Sequence, residues 1–135
     1  MSTKEPRLID LPKILDDRGN LSFFQNSTQV PFEIKRVYWI YDVPGGEIRG
    51  GHAYKTLQEV IIALSGSFDV VLFDGNEERR FTLNRSYKAL YVPGMIWKHL
   101  ENFSTNSVAL IAADQPYSEA EYLRDPELFK SMKLS

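Results

Sequence analysis

Cysteine is absent from the 135-residue chain, which excludes disulfides, thiolate metal sites and a cysteine nucleophile. No stretch approaches the ~20 consecutive apolar residues of a membrane-spanning helix. The opening Met1-Ser2-Thr3-Lys4-Glu5-Pro6 lacks the apolar segment of a signal peptide, so a cytoplasmic location without membrane association is expected. An excess of charge is also missing: 16 Lys and Arg against 18 Asp and Glu leave a net charge of −2. That balance offers no basic field for nucleic acid, but it permits a local basic pocket for a phosphorylated small molecule. Histidine is scarce, with only His52 and His99 in the chain. What remains is ordinary for a soluble globular protein, with 43% hydrophobic and 25% charged residues. The length suits a single domain over residues 1–135, large enough to bury about two thirds of its unfolded surface.

The apolar pattern is that of many short strands. Arg7–Leu11 alternates, and Asp16-Asp17-Arg18-Gly19-Asn20 is a polar turn that carries the chain into Leu21–Phe24. Ile34–Tyr41 has the β-branched and aromatic enrichment of a strand, with Arg36 and Tyr38 on one face. Leu57–Leu64 is almost continuously apolar and, across Ser65-Gly66, is expected to form a hairpin with Ser67–Phe73. Further strands follow at 80–83, 87–92, 96–101 and 107–113, a spacing that means an all-β sandwich or barrel. Ser118-Glu119-Ala120-Glu121 has a capping pattern and Asp125-Pro126 suits a helix start, so one or two short C-terminal helices are expected.

The chemistry concentrates in Arg49-Gly50-Gly51-His52-Ala53-Tyr54-Lys55-Thr56-Leu57-Gln58. On an unbroken strand His52, Tyr54 and Gln58 share a face and Glu59 lies on the other. His52, with an ordinary pKa near ~6.5, is the group there suited to accept and donate a proton near neutrality. His99 reads as structural. Trp97 and Lys98 are neighbours on one strand, so a regular strand turns only one of them toward a pocket.

A small antiparallel barrel with Gly-x-His-x-Tyr at 50–54, and with Pro93-Gly94 ahead of a strand carrying Trp97 and His99, resembles the cupin superfamily. In the metal-binding members two histidines one residue apart, a glutamate and a third histidine hold the ion. Here Tyr54 stands in place of the second histidine and the Gly94 spacing ends on Trp97, so the ligand set is incomplete. Neither metal nor other cofactor is expected. Ile34–Tyr38, Arg49–Lys55, Tyr91-Val92-Pro93 with Trp97, and Tyr117–Tyr122 look more narrowly like the dTDP-4-keto-6-deoxyglucose 3,4-ketoisomerases, enzymes of deoxyamino-sugar nucleotide biosynthesis. That resemblance implies an antiparallel double-stranded β-helix, or jelly roll, that works without metal as a homodimer with strands exchanged between subunits. It implies His52 as catalytic base, Tyr38 as a second catalytic residue and a dTDP-linked keto-sugar as substrate. It departs from the family at Tyr54, where relatives often have histidine. Arg18 and Lys98 match positions that vary among members making different C4 epimers, which leaves the product's C4 configuration open.

Moving a ketone from C4 to C3 requires loss of the C3 proton, an enediolate, and return of a proton to C4, all within reach of one base. Tyr38, Tyr54 and Arg49 are candidate donors to the oxyanion. Arg36, Arg49, Lys55, Arg18 and Lys98 are candidate cations for the diphosphate, Gln58 a further substrate contact, and Trp97 either a stacking platform or core. Two other functions fit the same residues: a nucleotide-sugar 3,5-epimerase, which also uses a histidine base, and a non-catalytic cupin that binds a nucleotide sugar.

Overall fold

A computed structural model describes residues 4–134 as two five-stranded antiparallel sheets facing one another, with a small hairpin and a C-terminal helix outside them. The strands are β1 (Arg7–Asp10), β2 (Lys13–Ile14), β3 (Leu21–Ser22), β4 (Arg36–Tyr41), β5 (Arg49–Tyr54), β6 (Glu59–Ser65), β7 (Phe68–Phe73), β8 (Glu78–Leu83), β9 (Lys88–Val92), β10 (Trp97–Glu101), β11 (Val108–Ala113) and β12 (Tyr122–Leu123), followed by α1 (Pro126–Leu134). One sheet runs β1-β9-β6-β11-β4, the other β12-β5-β10-β7-β8, and β2 pairs only with β3. This is the jelly-roll arrangement expected of the chain.

Alternation explains the core. Ile61, Ala63, Leu90, Val92, Ala109 and Ile111 point inward from the first sheet and meet Phe68, Val70, Leu72, Leu83 and Leu100 from the second. The first sheet is buried on its other face as well, because Leu11, Val30 and Phe32 fold over Val60, Ile62, Ala89 and Ala112. Burial on both faces over residues 59–63 accounts for the apolar run of β6, since neither face of that part of the strand meets water.

That run does not form a hairpin with the next strand. β6 and β7 lie in different sheets, and Ser65-Gly66-Ser67 turns the chain across the sandwich. Gly66 has φ +67° there, and a Cβ on it would lie 2.4 Å from Ser104 Oγ, so the corner needs glycine. The hairpin is instead β7–β8, closed by Asp74, whose carboxylate accepts the backbone N–H of Asn76 at 2.8 Å and of Glu77 at 2.9 Å.

The C-terminal segment forms a single α-helix and, at Glu119–Glu121, one 3₁₀ turn whose Ser118 makes no side-chain cap. Asp125 starts α1 by accepting the Glu127 N–H at 3.0 Å, with proline in the first turn. Phe129, 1% exposed, docks the helix on the outside of the second sheet against Trp97 and Phe73.

Candidate active site

Five strands turn side chains into one cavity of about 140 Å³ between the sheets: Tyr38 and Ile40 from β4, Arg49, His52 and Tyr54 from β5, Lys98 and Leu100 from β10, Ile111 from β11, and Tyr122 from β12. Strict alternation would place Arg49 and His52 on opposite faces of β5. They share the cavity because Lys98 pairs with His52 while His99 pairs with Gly50, which leaves Gly51 as an extra, bulged residue. Gly50 and Gly51 have φ +99° and +86°, and a Cβ on Gly50 would stand 3.0 Å from the Lys98 carbonyl oxygen and 3.1 Å from His99 Cα. Gly50→Ala is expected to lose about 1–3 kcal/mol of stability and to lower activity more than any surface substitution. Thermal denaturation beside a turnover assay checks both.

The chain breaks after Tyr54, and the break decides which neighbours reach the site. Glu121 Oε1 accepts the backbone N–H of Thr56 at 2.8 Å and of Leu57 at 2.9 Å, and the Met95 N–H donates to the Tyr54 carbonyl at 2.7 Å. This pinned turn reverses the parity expected of an unbroken strand. Gln58 faces away, its amide on Asp114 at 2.9 Å and its carbonyl oxygen accepting from Tyr91 Oη. Glu59, expected on the opposite face, instead joins two of the residues that line the cavity. Only 1% exposed, it accepts a hydrogen bond from Tyr38 Oη at 2.6 Å and pairs with Lys98 Nζ.

His52 is held by packing. Its ring lies 4.9 Å from those of Tyr54 and Tyr122, and its Nε2 is buried with no hydrogen-bond partner. Burial, with the positive charge of Lys98 adding to it, brings its pKa down to about 4, so at neutral pH the imidazole is an uncharged base. Burial and the negative charge of Glu59 push the phenols of Tyr38 and Tyr54 well above their ordinary range, and both stay protonated. Tyr54 Oη donates weakly to Tyr122 Oη at 3.4 Å. Arg36 stacks over Tyr38, 4.8 Å from its ring centre, and its buried Nε is unpartnered; it stands beside the cavity without lining it.

Of the other residues singled out from the sequence, three lie elsewhere. Trp97 points outward into the α1 contact, 5.6 Å from the Phe129 ring, because Lys98 takes the inward place on β10. Lys55 is exposed on the turn beyond β5. Arg18, with 90% of its side chain exposed, binds Asp16 at the tip of the β2–β3 hairpin. His99 lies outside the cavity, its Nε2 2.7 Å from Glu101. Sequence reasoning did not single out Glu59 or Tyr122 as site residues. A lone carboxylate opening the most apolar run of the chain was the available signal for Glu59, since such an acid is almost never buried without a partner.

The family model described as "FdtA: WxcM-like, C-terminal" matches residues 4–134. A curated relative, TDP-4-oxo-6-deoxy-alpha-D-glucose-3,4-oxoisomerase of Aneurinibacillus thermoaerophilus, is 40% identical over 93% of this chain and 91% of its own. The chain belongs to the FdtA-like 3,4-ketoisomerase family. Solved members have the same fold. The WlaRB TDP-quinovose 3,4-ketoisomerase from Campylobacter jejuni is 39% identical with a TM-score of 0.91, over 95% of this chain and 98% of that one. A histidine-to-asparagine mutant of the 3,4-ketoisomerase QdtA from Thermoanaerobacterium thermosaccharolyticum, in complex with TDP-4-keto-6-deoxyglucose, is 31% identical with a TM-score of 0.93, over 95% and 93% of the two chains. For a 3,4-ketoisomerase fold, the site above presents one neutral imidazole, one buried ion pair and a ring of phenols to whatever enters it.

Proposed function

We propose that this protein is a 3,4-ketoisomerase that converts a TDP-4-keto-6-deoxyhexose to its 3-keto isomer, with His52 as the base that moves the proton. The buried, unpartnered Nε2 of His52 is the observation that carries the reading. A base that must take a proton from carbon and hand it to the adjacent carbon is best left without a competing hydrogen bond, and an imidazole with pKa near 4 gives the proton back readily once the enediolate has formed. His52 Nε2 removes the C3 proton, the C3–H pair forms the C3–C4 double bond, and the carbonyl π pair moves onto O4. A proton then passes from O3 to O4, the C3 carbonyl forms, and C4 takes the proton from the imidazolium. The small cavity suits the keto-hexose ring, and Arg49 at its exposed edge is placed to meet the diphosphate outside.

The reading includes no metal and no other cofactor. Among the described residues no three His, Asp or Glu side chains converge, and the Glu59 carboxylate is taken by Tyr38 and Lys98. No helix among the described residues is long and apolar enough to cross a membrane, and the protein is taken to act in the cytoplasm. It also includes a homodimer. β4 is a sheet edge whose outer face exposes Val37, Trp39 and Tyr41, the last two by 58% and 60%, and the β2–β3 hairpin exposes Ile14, Leu15 and Leu21. Exposed apolar side chains of this kind are characteristic of an interface. The reading takes this hairpin as the exchanged segment, with the exposed Arg18 at its tip reaching toward the partner's cavity. Light scattering should give twice the 15.6 kDa protomer mass.

Incubation with TDP-4-keto-6-deoxyglucose in D₂O, followed by NMR, tests the function. A 3-keto product with no deuterium at C5 is expected. Deuterium entering C5 would favour the 3,5-epimerase, and an unchanged substrate a binding module.

A further inference from the structure

The isomerisation moves negative charge from O4 to O3, so the site needs a donor that serves both vicinal oxygens. Tyr38 is the obvious candidate, but a phenol has one proton, and Tyr38 Oη directs it to Glu59 Oε2 at 2.6 Å. Its free lone pairs can only accept. Tyr54 too has a single proton, turned weakly toward Tyr122 at 3.4 Å, and Arg49 stands at the exposed edge. Lys98 differs from all three. It is 4% exposed, lines the cavity and pairs in register with His52 on the neighbouring strand. Its Nζ lies 5.5 Å from the centre of the Tyr54 ring. An ammonium carries three protons. One meets Glu59, which leaves two.

We propose that Lys98 is the donor to both O4 and O3 of the enediolate, that Glu59 is the positioning residue that holds this ammonium in place, and that Tyr38 accepts the substrate hydroxyl's hydrogen bond. The assignment rests on the ketoisomerase reading above. Glu59 sorts the two groups it touches: by taking the only proton of Tyr38 it makes the phenol an acceptor toward the cavity, and by taking one of three from Lys98 it leaves a charged donor with two. When O3 gives its proton to O4, the acceptor and the two-pronged donor exchange oxygens without either side chain leaving Glu59. A preorganised cation at the developing charge is the arrangement that contributes most to such a step.

The test compares single variants by steady-state kinetics on TDP-4-keto-6-deoxyglucose. Lys98→Met is expected to lower kcat by about 10²- to 10³-fold, while the Kd for TDP stays within about threefold of the unmodified protein. Tyr38→Phe is expected to cost at least about tenfold less than Lys98→Met, because it removes an acceptor and not the charge. Glu59→Gln, which keeps the shape and loses the charge, should lower kcat with KM nearly unchanged. Lys98→Arg, which retains a cation with spare N–H donors, should restore part of the loss. A Tyr38→Phe loss equal to or larger than that of Lys98→Met overturns the assignment, as does near-normal turnover in Lys98→Met. The double variant Lys98→Met/Glu59→Gln leaves no unpaired buried charge, and it keeps the comparison available if Lys98→Met fails to fold.

A binding measurement separates this proposal from the function reading. In a His52→Asn background, Lys98→Met should weaken TDP-4-keto-6-deoxyglucose binding several-fold more than it weakens TDP binding. Equal weakening of both ligands places Lys98 on the nucleotide and ends the assignment, whether or not the protein turns the substrate over. Retained turnover in His52→Asn alone ends the base assignment and leaves Lys98 to be judged by its own variants.

Discussion

Turnover of TDP-4-keto-6-deoxyglucose is expected to fall by about 10³- to 10⁴-fold when His52 is replaced by asparagine, at the upper end of what a single acid–base group contributes. Asparagine fills part of the imidazole's volume but carries no exchangeable lone pair of suitable basicity. The fold should survive, because the buried Nε2 makes no hydrogen bond that the substitution could break, and the ring contacts to Tyr54 and Tyr122 are worth about 1 kcal/mol each at most. A stopped assay by NMR, beside a thermal melt, reads both. Turnover within tenfold of the unmodified protein would remove His52 from the mechanism. Substrate deuterated at C3 adds a sharper reading: a single shielded base should carry part of the label to C4, whereas a base open to water would lose nearly all of it.

The pH dependence follows from the same residue. His52 is neutral, and competent as a base, down to about pH 4, so the acid limb of kcat/KM should fall there and not near the ~6.5 of a free imidazole. Stability follows the opposite bookkeeping of protons. The folded-state pKa is depressed, so the unfolded chain binds a proton that the native one refuses, and this residue's contribution to stability declines as pH falls from about 6.5 toward 4. Denaturant titrations at pH 7 and pH 5 should differ less in a His52→Asn variant than in the unmodified protein.

Glu59→Ala is expected to destabilise the protein by about 3–5 kcal/mol, the cost of leaving a buried charge without its partner. Lys98 is 4% and Glu59 1% exposed, so water cannot replace the missing carboxylate. Tyr38 Oη loses its acceptor at the same time. For a domain of this size the loss corresponds to roughly 10–20 °C in Tm. Adding Lys98→Met should restore most of it, because removing both charges replaces a costly desolvated ion with apolar volume. A Glu59→Ala melt within a few degrees of the unmodified protein would mean that Lys98 finds another partner or loses its charge.

Much of this protein could be read along the chain. The all-β class follows from β-branched and aromatic runs broken at regular intervals by Gly, Pro, Asn and Ser, and those preferences are local. The side of β4 that faces the cavity was also legible, because Arg36, Tyr38 and Ile40 alternate without interruption. His52 stood out because only two histidines occur in the chain, and the family was carried by short motifs that survive in sequence.

Tertiary structure decided the rest through parity. The bulge at Gly51 turns Arg49 to the same face as His52, and the turn pinned by Glu121 sends Gln58 out and Glu59 in. Each is set by hydrogen bonds to residues distant in sequence, on β10 in one case and beside β12 in the other. A one-residue slip in a strand exchanges every side chain between faces, so the identity of the cavity-lining residues cannot be counted from a strand taken alone. The same applies to β6 and β7, whose apolar patterns suit a hairpin equally well and are separated only by the crossing at Gly66. By itself the sequence determined the fold class and the family and drew attention to His52; the packing of the two sheets determined that a buried carboxylate, Glu59, joins a lysine and a phenol that line the same cavity as that histidine.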